Sequence, residues 1–572
     1  MTTVDVDQCR VGHDGRVRGS PRVDFQKRRI DYEYLRITGQ RSLWYLGFGE
    51  APFPAPGALL VRHFSLKLGP TRGSLRVAHS LPRALPSFAY SIRGYASNSY
   101  PLFAFTWLTR SPDTITTQDI LSSLPSSPTP LLAQNSVPLL LVTPSFAHWL
   151  DPSDKFLPQL MRQLHGNDSN TNSFYSVAAV IDKIPESSAL NKLESEGLSL
   201  LAIGKENVHV KAVPPRRFGR PASEESDILV SIKKEQTSQS PTGVTHEIGL
   251  RLANTVFVNG KESTLLGMQW TRDGTTNAYT LDSTIDLTSC AVTSTSSAGA
   301  SPNLELPLYP IGDRRKVIAS MGNILRQISK SSDPNSQEPI PASSELEKDL
   351  PRYIKEHNIT DQRVSVWALV EKPDIQVGDH SLPTRDYLIQ SLRQGGKLHR
   401  VVSGGGGWGK KQGLLSLDPE ISFSGSVQRD ALIGLDQLFN PSENVETDQQ
   451  PFHANSLVGD DLSLLSQVAT SGDFIQFFVS VDPTSMPDAV PSDACLSEGN
   501  ITYRFGMLSN AEERSSLEML DGNDNITVVP NSFGALSEKA ISYTQPMARG
   551  GETPGSSTKL DIPGCRVVLD SV

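Results

Sequence analysis

The stretch VPLLLVTPSFAHWLDPSDKFLPQLMRQLHGNDSNTNSFYSVAAVI, residues 137–181, decides the fold class. Leu139, Leu140, Leu141 and Val142 form a continuous apolar run of strand length, the pattern of a strand covered on both faces. Asp151-Pro152-Ser153 then supplies helix-start residues. Short polar side chains accept from free backbone N–H groups, and a proline lacks an N–H that the first turn does not need. Phe156, Leu157, Leu160 and Leu164 recur on one helical face, and Gly166 stops the helix. Phe174 to Ile181 reads as a second buried strand and Leu198 to Ile203 as a third. Apolar strands alternating with an amphipathic helix imply helices laid on a sheet, hence an α/β fold with mixed sheets.

The same grammar recurs further along. Val364 to Val370 predicts a strand, Thr384 to Arg393 a helix with Leu388, Ile389 and Leu392 inward, and Leu398 to Val402 the next strand. Ile228 to Ile232 is a short strand, and Asn259-Gly260 between Val256-Phe257-Val258 and Leu265-Leu266 has hairpin chemistry. Arg315 to Ile328 predicts a helix burying Val317, Ile318, Met321, Leu325 and Ile328; Ser344 with Glu347 has capping-box spacing for a helix to about His357, kinked at Pro351. Strand candidates at 474–480, 501–506, 526–529 and 566–569 make the C-terminal part β-rich. Ser, Thr, Pro and Gly enrichment marks 113–135 as a linker, 291–303 as a mobile low-complexity segment and 547–560 as loose chain. The resulting division is a disordered N-terminal region 1–112, the linker, an α/β unit 136–212, a hairpin-and-helix region 225–330, an α/β unit 343–425 and a β-rich region 456–572.

Charge is distributed unevenly over the 572 residues, which carry 53 Lys and Arg against 62 Asp and Glu, a net −9. Residues 1–112 hold 16 basic and 7 acidic side chains; the remainder holds 37 and 55. An acidic body repels phosphate backbones, which excludes a broad nucleic-acid surface, and Arg216-Arg217-Phe218-Gly219-Arg220 reads as a solvated linker. From Ala51 to Pro112 there is no acid, while Arg62, Lys67, Arg72, Arg76, Arg83, Arg93 and Arg110 are spaced among Ser, Leu and Ala. Arg-rich, Ser-rich and acid-free is the composition of a mitochondrial transit peptide. Arg93-Gly94-Tyr95-Ala96-Ser97 fits a matrix-presequence cleavage pattern with a mature start near Ala96. Asp5, Asp7, Asp14, Asp24, Asp31, Glu33 and Glu50 precede this stretch and run against it, leaving a cytoplasmic location as the alternative. No apolar run reaches the 18 residues of a membrane span. Cys9, Cys290, Cys495 and Cys565 lie too far apart in sequence for a disulfide framework or a Cys-x-x-Cys metal motif.

One segment is a candidate for binding chemistry: Ser403-Gly404-Gly405-Gly406-Gly407-Trp408-Gly409-Lys410-Lys411-Gln412-Gly413. Four consecutive glycines are entropically costly, so the main chain must need them, either to pass close to another element or to cradle an anion. Gly404 to Lys410 matches most of a P-loop, but Lys411 stands where Ser or Thr holds magnesium, and Asp418-Pro419 leaves no room for the helix that follows a P-loop. Gly404, Gly405, Gly406, Gly407, Gly409, Lys410 and Lys411 are therefore candidate residues for an anion or small ligand, with no catalytic residue, metal ligand or cofactor assigned. His399 reads as structural, and Asp182 and Asp418 as strand-ending turn residues.

Residues 398–420, LHRVVSGGGGWGKKQGLLSLDPE, with Val366-Trp367-Ala368-Leu369-Val370 before them, resemble a family of filamentous-fungal proteins of unassigned function that look like mitochondrial precursors. Residues 137–204 are similar in pattern to the N-terminal part of FIST-type ligand-sensing domains. The resemblance implies a non-enzymatic accessory, sensing or interaction protein of the mitochondrial matrix, with a protein partner or small-molecule ligand. Two alternatives stand beside it: a phosphate- or nucleotide-binding enzyme using 403–411, and an accessory protein of fungal secondary-metabolite biosynthesis.

Overall fold

The computed structural model describes residues 103–125, 131–132, 135–166, 173–186, 194–214, 226–234, 245–253, 264–296, 299–357, 359, 364–375, 383–404, 413–423, 432–440, 467–480, 500–509, 526–546 and 556–571, all within one unit. The region 1–102 with its transit-peptide pattern, the Arg216–Arg220 cluster and the Asn259-Gly260 hairpin lie outside them. The chain is an α/β protein dominated by strands.

In chain order the first part contains β1 (Phe103–Thr109), α1 (Thr117–Ser123), β2 (Ser136–Val142), α2 (Phe156–His165), β3 (Ser173–Val180), β4 (Ile184–Pro185), β5 (Glu194–Gly204) and β6 (Val208–Ala212). Then come β7 (Asp227–Lys234), β8 (Thr245–Arg251), β9 (Leu265–Arg272), β10 (Tyr279–Ser296), β11 (Ala300–Glu305), β12 (Tyr309–Met321), β13 (Ile324–Ser329) and β14 (Pro339–Pro341). They are followed by α3 (Ser344–Glu356), β15 (Val366–Glu371), α4 (Thr384–Arg393), β16 (Lys397–Gly404), β17 (Leu415–Leu417), β18 (Ile433–Gly434) and α5 (Leu435–Phe439). The last are β19 (Phe474–Val479), β20 (Thr502–Met507), β21 (Thr527–Pro530), β22 (Ser532–Ser537), β23 (Ala540–Gln545), β24 (Ser556–Lys559) and β25 (Arg566–Ser571).

The 137–181 unit folds as strand, helix and strand, but its helix begins at Phe156 behind Lys155; Asp151-Pro152-Ser153 is a turn after a 3-10 helix at Pro144–Leu150, with Asp151 Oδ1 accepting from the Ser153 N–H at 2.8 Å instead of capping the helix. β2 and β3 pair in parallel, with Leu139 opposite Val177 and Val142 opposite Val180, and α2 lies in the crossover. They sit inside a large mixed sheet ordered β21-β1-β5-β2-β3-β9-β10-β7-β8-β23-β24, with β4, β6 and β18 attached at its sides. Alternation splits β2 between two cores: Leu140 and Val142 pack under α1 and α2, while Leu139 and Leu141 face the opposite layer. That layer is a small sheet, β11-β25-β20-β22, together with the outer wall of a barrel.

The barrel consists of β12-β19-β15-β16-β17-β13, closed by pairing of β12 with β13, every pair antiparallel, with β14 added on β13. Val317, Leu325, Ile328, Ala368, Val370, Val401, Leu415, Ile475 and Phe477 fill its interior, and Ala342 and Leu346 at the start of α3 pack onto it. Trp367, Leu369, Leu398 and Phe478, the alternate residues, pack outward into the central core. Regions 225–330, 343–425 and 456–572 all supply strands to this one barrel.

Several local expectations are corrected. Residues 315–328 are not a helix but the β12–β13 hairpin, turning at Gly322-Asn323. Val317, Leu325 and Ile328 face the barrel, whereas Met321, inward in the helical reading, is 62% exposed at the tip; β-branched Val317, Ile318, Ile324 and Ile328 favour the pleated form once a partner strand is present. Within 291–303 the described residues are largely strands: the second half of β10, to Ser296, pairs with β7 and β6, and β11, from Ala300, pairs with β25. Their Thr, Ser and Val residues suit a sheet interior as well as a linker. The segment from 113 contains α1, started by a reciprocal cap between Thr116 and Asp119 and burying Ile120 and Leu121. Phe103–Thr109, within the N-terminal region, is the buried strand β1, and Ser556–Lys559, within 547–560, is β24. α3 starts one residue early, with Ser343 Oγ donating to Glu347 Oε1 at 2.7 Å.

Candidate functional site

β16 and β17 are neighbouring antiparallel strands, with Val401 opposite Leu417, Ser403 opposite Ser416 and Gly404 opposite Leu415. The glycine-rich segment is therefore a strand-to-strand connection of the barrel. Its two described ends show why glycine is required there. Gly404 has φ +150°, and a Cβ on it would stand 2.5 Å from the Leu414 carbonyl oxygen. Gly413 has φ +81°, a Cβ would meet Pro341 Cβ at 2.7 Å, and its carbonyl accepts from the Ser343 N–H at 3.2 Å. Gly405, Gly406, Gly407, Gly409, Lys410 and Lys411 lie outside the described residues. The element that follows is β17 rather than a helix, so the helix N-terminus of a P-loop does not follow this segment. Gly404→Ala and Gly413→Ala are each expected to destabilise the chain by about 1–3 kcal/mol, as a side chain is forced into backbone. Urea-unfolding midpoints unchanged from wild type would contradict the close approach.

The residues after β17 enter a charge cluster. Lys559 Nζ donates to Asp418 Oδ2 and Glu420 Oε2, both at 2.8 Å. Arg251 donates to the two Glu420 oxygens at 3.2 and 2.8 Å and stacks on Phe423, 4.1 Å from the ring centre. Trp367 Nε1 donates to Asp561 Oδ1 at 3.0 Å, and Arg400 lies 3.9 Å from the same carboxylate. Burial opposes the Glu420 charge, but the hydrogen bonds from Arg251 and Lys559 outweigh it and hold the carboxyl below its usual range. Burial likewise opposes the Lys559 charge, and Asp561, Asp418 and Glu420 outweigh it, raising the ammonium. Arg251 ends β8 and Lys559 ends β24, so the cluster ties the barrel to the large sheet. Asp418 thus acts as an ion-pair partner and turn residue. Asp182 also acts in a turn, accepting the Glu538 N–H at 2.8 Å.

A second cluster lies on the outer wall of the barrel. Glu371, 1% exposed, accepts from Arg314 Nε at 2.6 Å, Ser391 Oγ at 2.6 Å and Tyr387 Oη at 3.0 and 3.1 Å. Arg314 stacks over Phe474, 3.7 Å from the ring centre. These contacts anchor α4 through Tyr387 and Ser391.

A third group is on β16 itself. Lys397 and His399 occupy alternate positions on the face that carries Val401, opposite Val370 and Ala368 of β15. His399 Nδ1 is 2.7 Å from the Asp418 carbonyl oxygen, while Nε2 is buried without a hydrogen-bond partner. Burial pushes the imidazole down to about 4. Burial, and then the charge of Lys372, push the Lys397 ammonium down. Lys372 is itself paired with Asp473 Oδ2 at 2.8 Å.

Of these groups Trp367, His399, Arg400, Asp418 and Glu420 lie in segments the sequence singles out. Arg251, Arg314, Glu371, Lys397 and Lys559 sit in no motif and converge only through tertiary pairing of strands distant in sequence. Among the described residues no group of three His, Cys, Asp or Glu is placed to hold a metal ion, and no helix is long and apolar enough to cross a membrane. Cys290 and Cys565 are buried free thiols. Comparison with protein-family models, curated proteins and solved structures gives no match.

Proposed function

We propose that this chain is a non-enzymatic accessory, sensing or interaction protein of the mitochondrial matrix, and that it binds a protein or small ligand through the glycine-rich connection of its barrel. The observation that carries this reading is the way that connection is held. It joins two strands of a closed barrel, its end glycines are locked against Leu414 and Pro341, and Asp418 and Glu420 beyond it are ion-paired with Lys559 and Arg251. A connection on so fixed a base suits presentation to a partner, since binding residues commonly sit on segments that join the elements of a rigid scaffold. The import reading draws support from the position of β1: it starts at Phe103, beyond the cleavage pattern at Ala96, so processing there leaves every described element in place.

The full chain is expected to show no rise in melting temperature with ATP, GTP or inorganic phosphate, and no release of phosphate from the nucleotides. Binding to the folded form raises stability by mass action. A nucleotide-dependent rise that Lys410→Ala abolishes would replace this reading with the phosphate-binding enzyme. N-terminal sequencing of the native protein is expected to begin near Ala96; an intact Met1 in a cytosolic fraction would refute import.

A further inference from the structure

We propose that Lys397 is a nucleophilic amine that captures a small aldehyde or ketone as a Schiff base, with His399 carrying the protons. This goes beyond the binding role given to the glycine-rich connection, because Lys397 opens β16 at the opposite end of the barrel wall from Gly404.

Lys397, His399 and Val401 point the same way, and their opposite neighbours Val370 and Ala368 belong to the barrel core. Lys397 and His399 are thus two residues apart on one wall, about 6.6 Å along the strand, within reach of a four-carbon lysine stem. Among the described residues Lys397 Nζ makes no hydrogen bond and no ion pair. Asp473, which lies where β19 begins beside β15, is paired with Lys372. A half-buried ammonium with a second ammonium beside it is disfavoured, which populates the free amine, the nucleophilic form.

The neighbouring imidazole is fixed in the complementary state. The Asp418 carbonyl oxygen only accepts, so His399 Nδ1 carries the hydrogen of their 2.7 Å contact. Nε2 is then a bare lone pair, buried and unpartnered among the described residues. A buried acceptor without a donor costs stability, and a proton-bearing group at this position would satisfy it.

The chemistry balances without redox. The neutral Lys397 nitrogen attacks the carbonyl carbon, forming the C–N bond as the carbonyl π-bond opens onto oxygen. His399 Nε2 takes one of the two protons that nitrogen sheds and passes it to the oxygen, giving the neutral carbinolamine. Nε2 then takes the second N–H proton and delivers it to the hydroxyl, which leaves as water as the C–O bond breaks and the C=N bond forms. The sum is one amine and one carbonyl giving one imine and one water, reversible by hydrolysis. An anionic ligand would favour the charged ammonium and fits the free-amine environment less well.

The test uses the full chain with acetaldehyde or acetone and sodium cyanoborohydride, with adducts mapped by peptide mass spectrometry. Lys397 is expected to be labelled several-fold faster than the exposed Lys234 and Lys355, and His399→Gln to slow labelling at Lys397 alone. Competitive acetylation of the wild-type chain, which depends on no variant folding, is expected to rank Lys397 above the same two lysines at pH 7. Labelling of Lys397 no faster than Lys234 and Lys355 in both measurements would overturn the proposal. Labelling unaffected by His399→Gln would remove His399 from it.

Discussion

Arg314→Leu is expected to lower stability by about 3–5 kcal/mol, because it leaves a carboxylate in the interior without a counter-charge. Glu371 is 1% exposed and lies between β15 and α4, where water cannot replace the lost guanidinium. Ser391 and Tyr387 still donate to it, but neutral donors do not offset the desolvation of a full charge. The double variant Arg314→Leu/Glu371→Leu removes both charges and is expected to recover most of the loss, to within about 1–2 kcal/mol of wild type, since an apolar pair of similar volume often serves as well as a buried ion pair. Urea unfolding of the wild type and both variants measures this directly. A double variant no more stable than the single one would show that the cluster acts by packing rather than by charge. The result also bears on Lys397, because the contacts of Glu371 with Tyr387 and Ser391 hold the helix that delivers the chain to the start of β16.

The second large effect is a loss of stability in acid that other groups mask. His165, in the last turn of α2 against Phe174, and His399 in the barrel wall are both buried and pushed down to about 4 from 6.5. Between those values the unfolded chain binds protons that the folded chain refuses. Their contribution is complete above pH 6.5 and is lost as pH falls toward 4, about 3 kcal/mol for each. Asp227 runs the other way. Burial raises it to about 6, so between pH 3.8 and 6 the folded chain keeps a proton that the unfolded chain has released. Its effect favours the folded state at low pH and fades as pH rises through 6; Asp182, also raised to about 6 by burial, adds in the same direction. The two sets oppose each other from pH 4 to 6, and the wild-type unfolding midpoint is expected to stay nearly flat there. His165→Phe, which keeps an aromatic ring beside Phe174 and Tyr279, unmasks the balance. Its stability relative to wild type is expected to improve by about 3 kcal/mol between pH 7 and pH 4. Parallel pH curves for the two proteins would show that His165 is solvated in the folded state.

Elements with one-sided or fully apolar patterns were legible in the sequence. β2, α2 and β3 follow the run at 139–142, the face carrying Phe156, Leu157, Leu160 and Leu164, and the run at 174–181. α4 matches Thr384–Arg393 to the residue. The hairpin β12–β13 was not legible, because Val317, Met321, Leu325 and Ile328 have helical spacing as well as strand composition. The pairings with β19 and β17 decide between them. The same holds for β10: Thr, Ser and Val in 291–296 serve a linker or a central strand, and β7 and β6 on either side make it a strand.

The amino-acid order alone determined the α/β character, the helices α2 and α4 and the acid-free basic stretch from Ala51 to Pro112, since each depends on residue type and on neighbours close along the chain, whereas the approach of Pro341 that requires glycine at 413 is tertiary. Only the tertiary structure closed the barrel and set Lys559 against Asp418, Arg314 against Glu371, and Lys397 beside His399 on an apolar wall. Strand register and burial decide which charges meet and which amine loses its water, and both arise from pairing between segments distant in sequence, 141 residues for Lys559 with Asp418 and 57 for Arg314 with Glu371, which local periodicity does not encode.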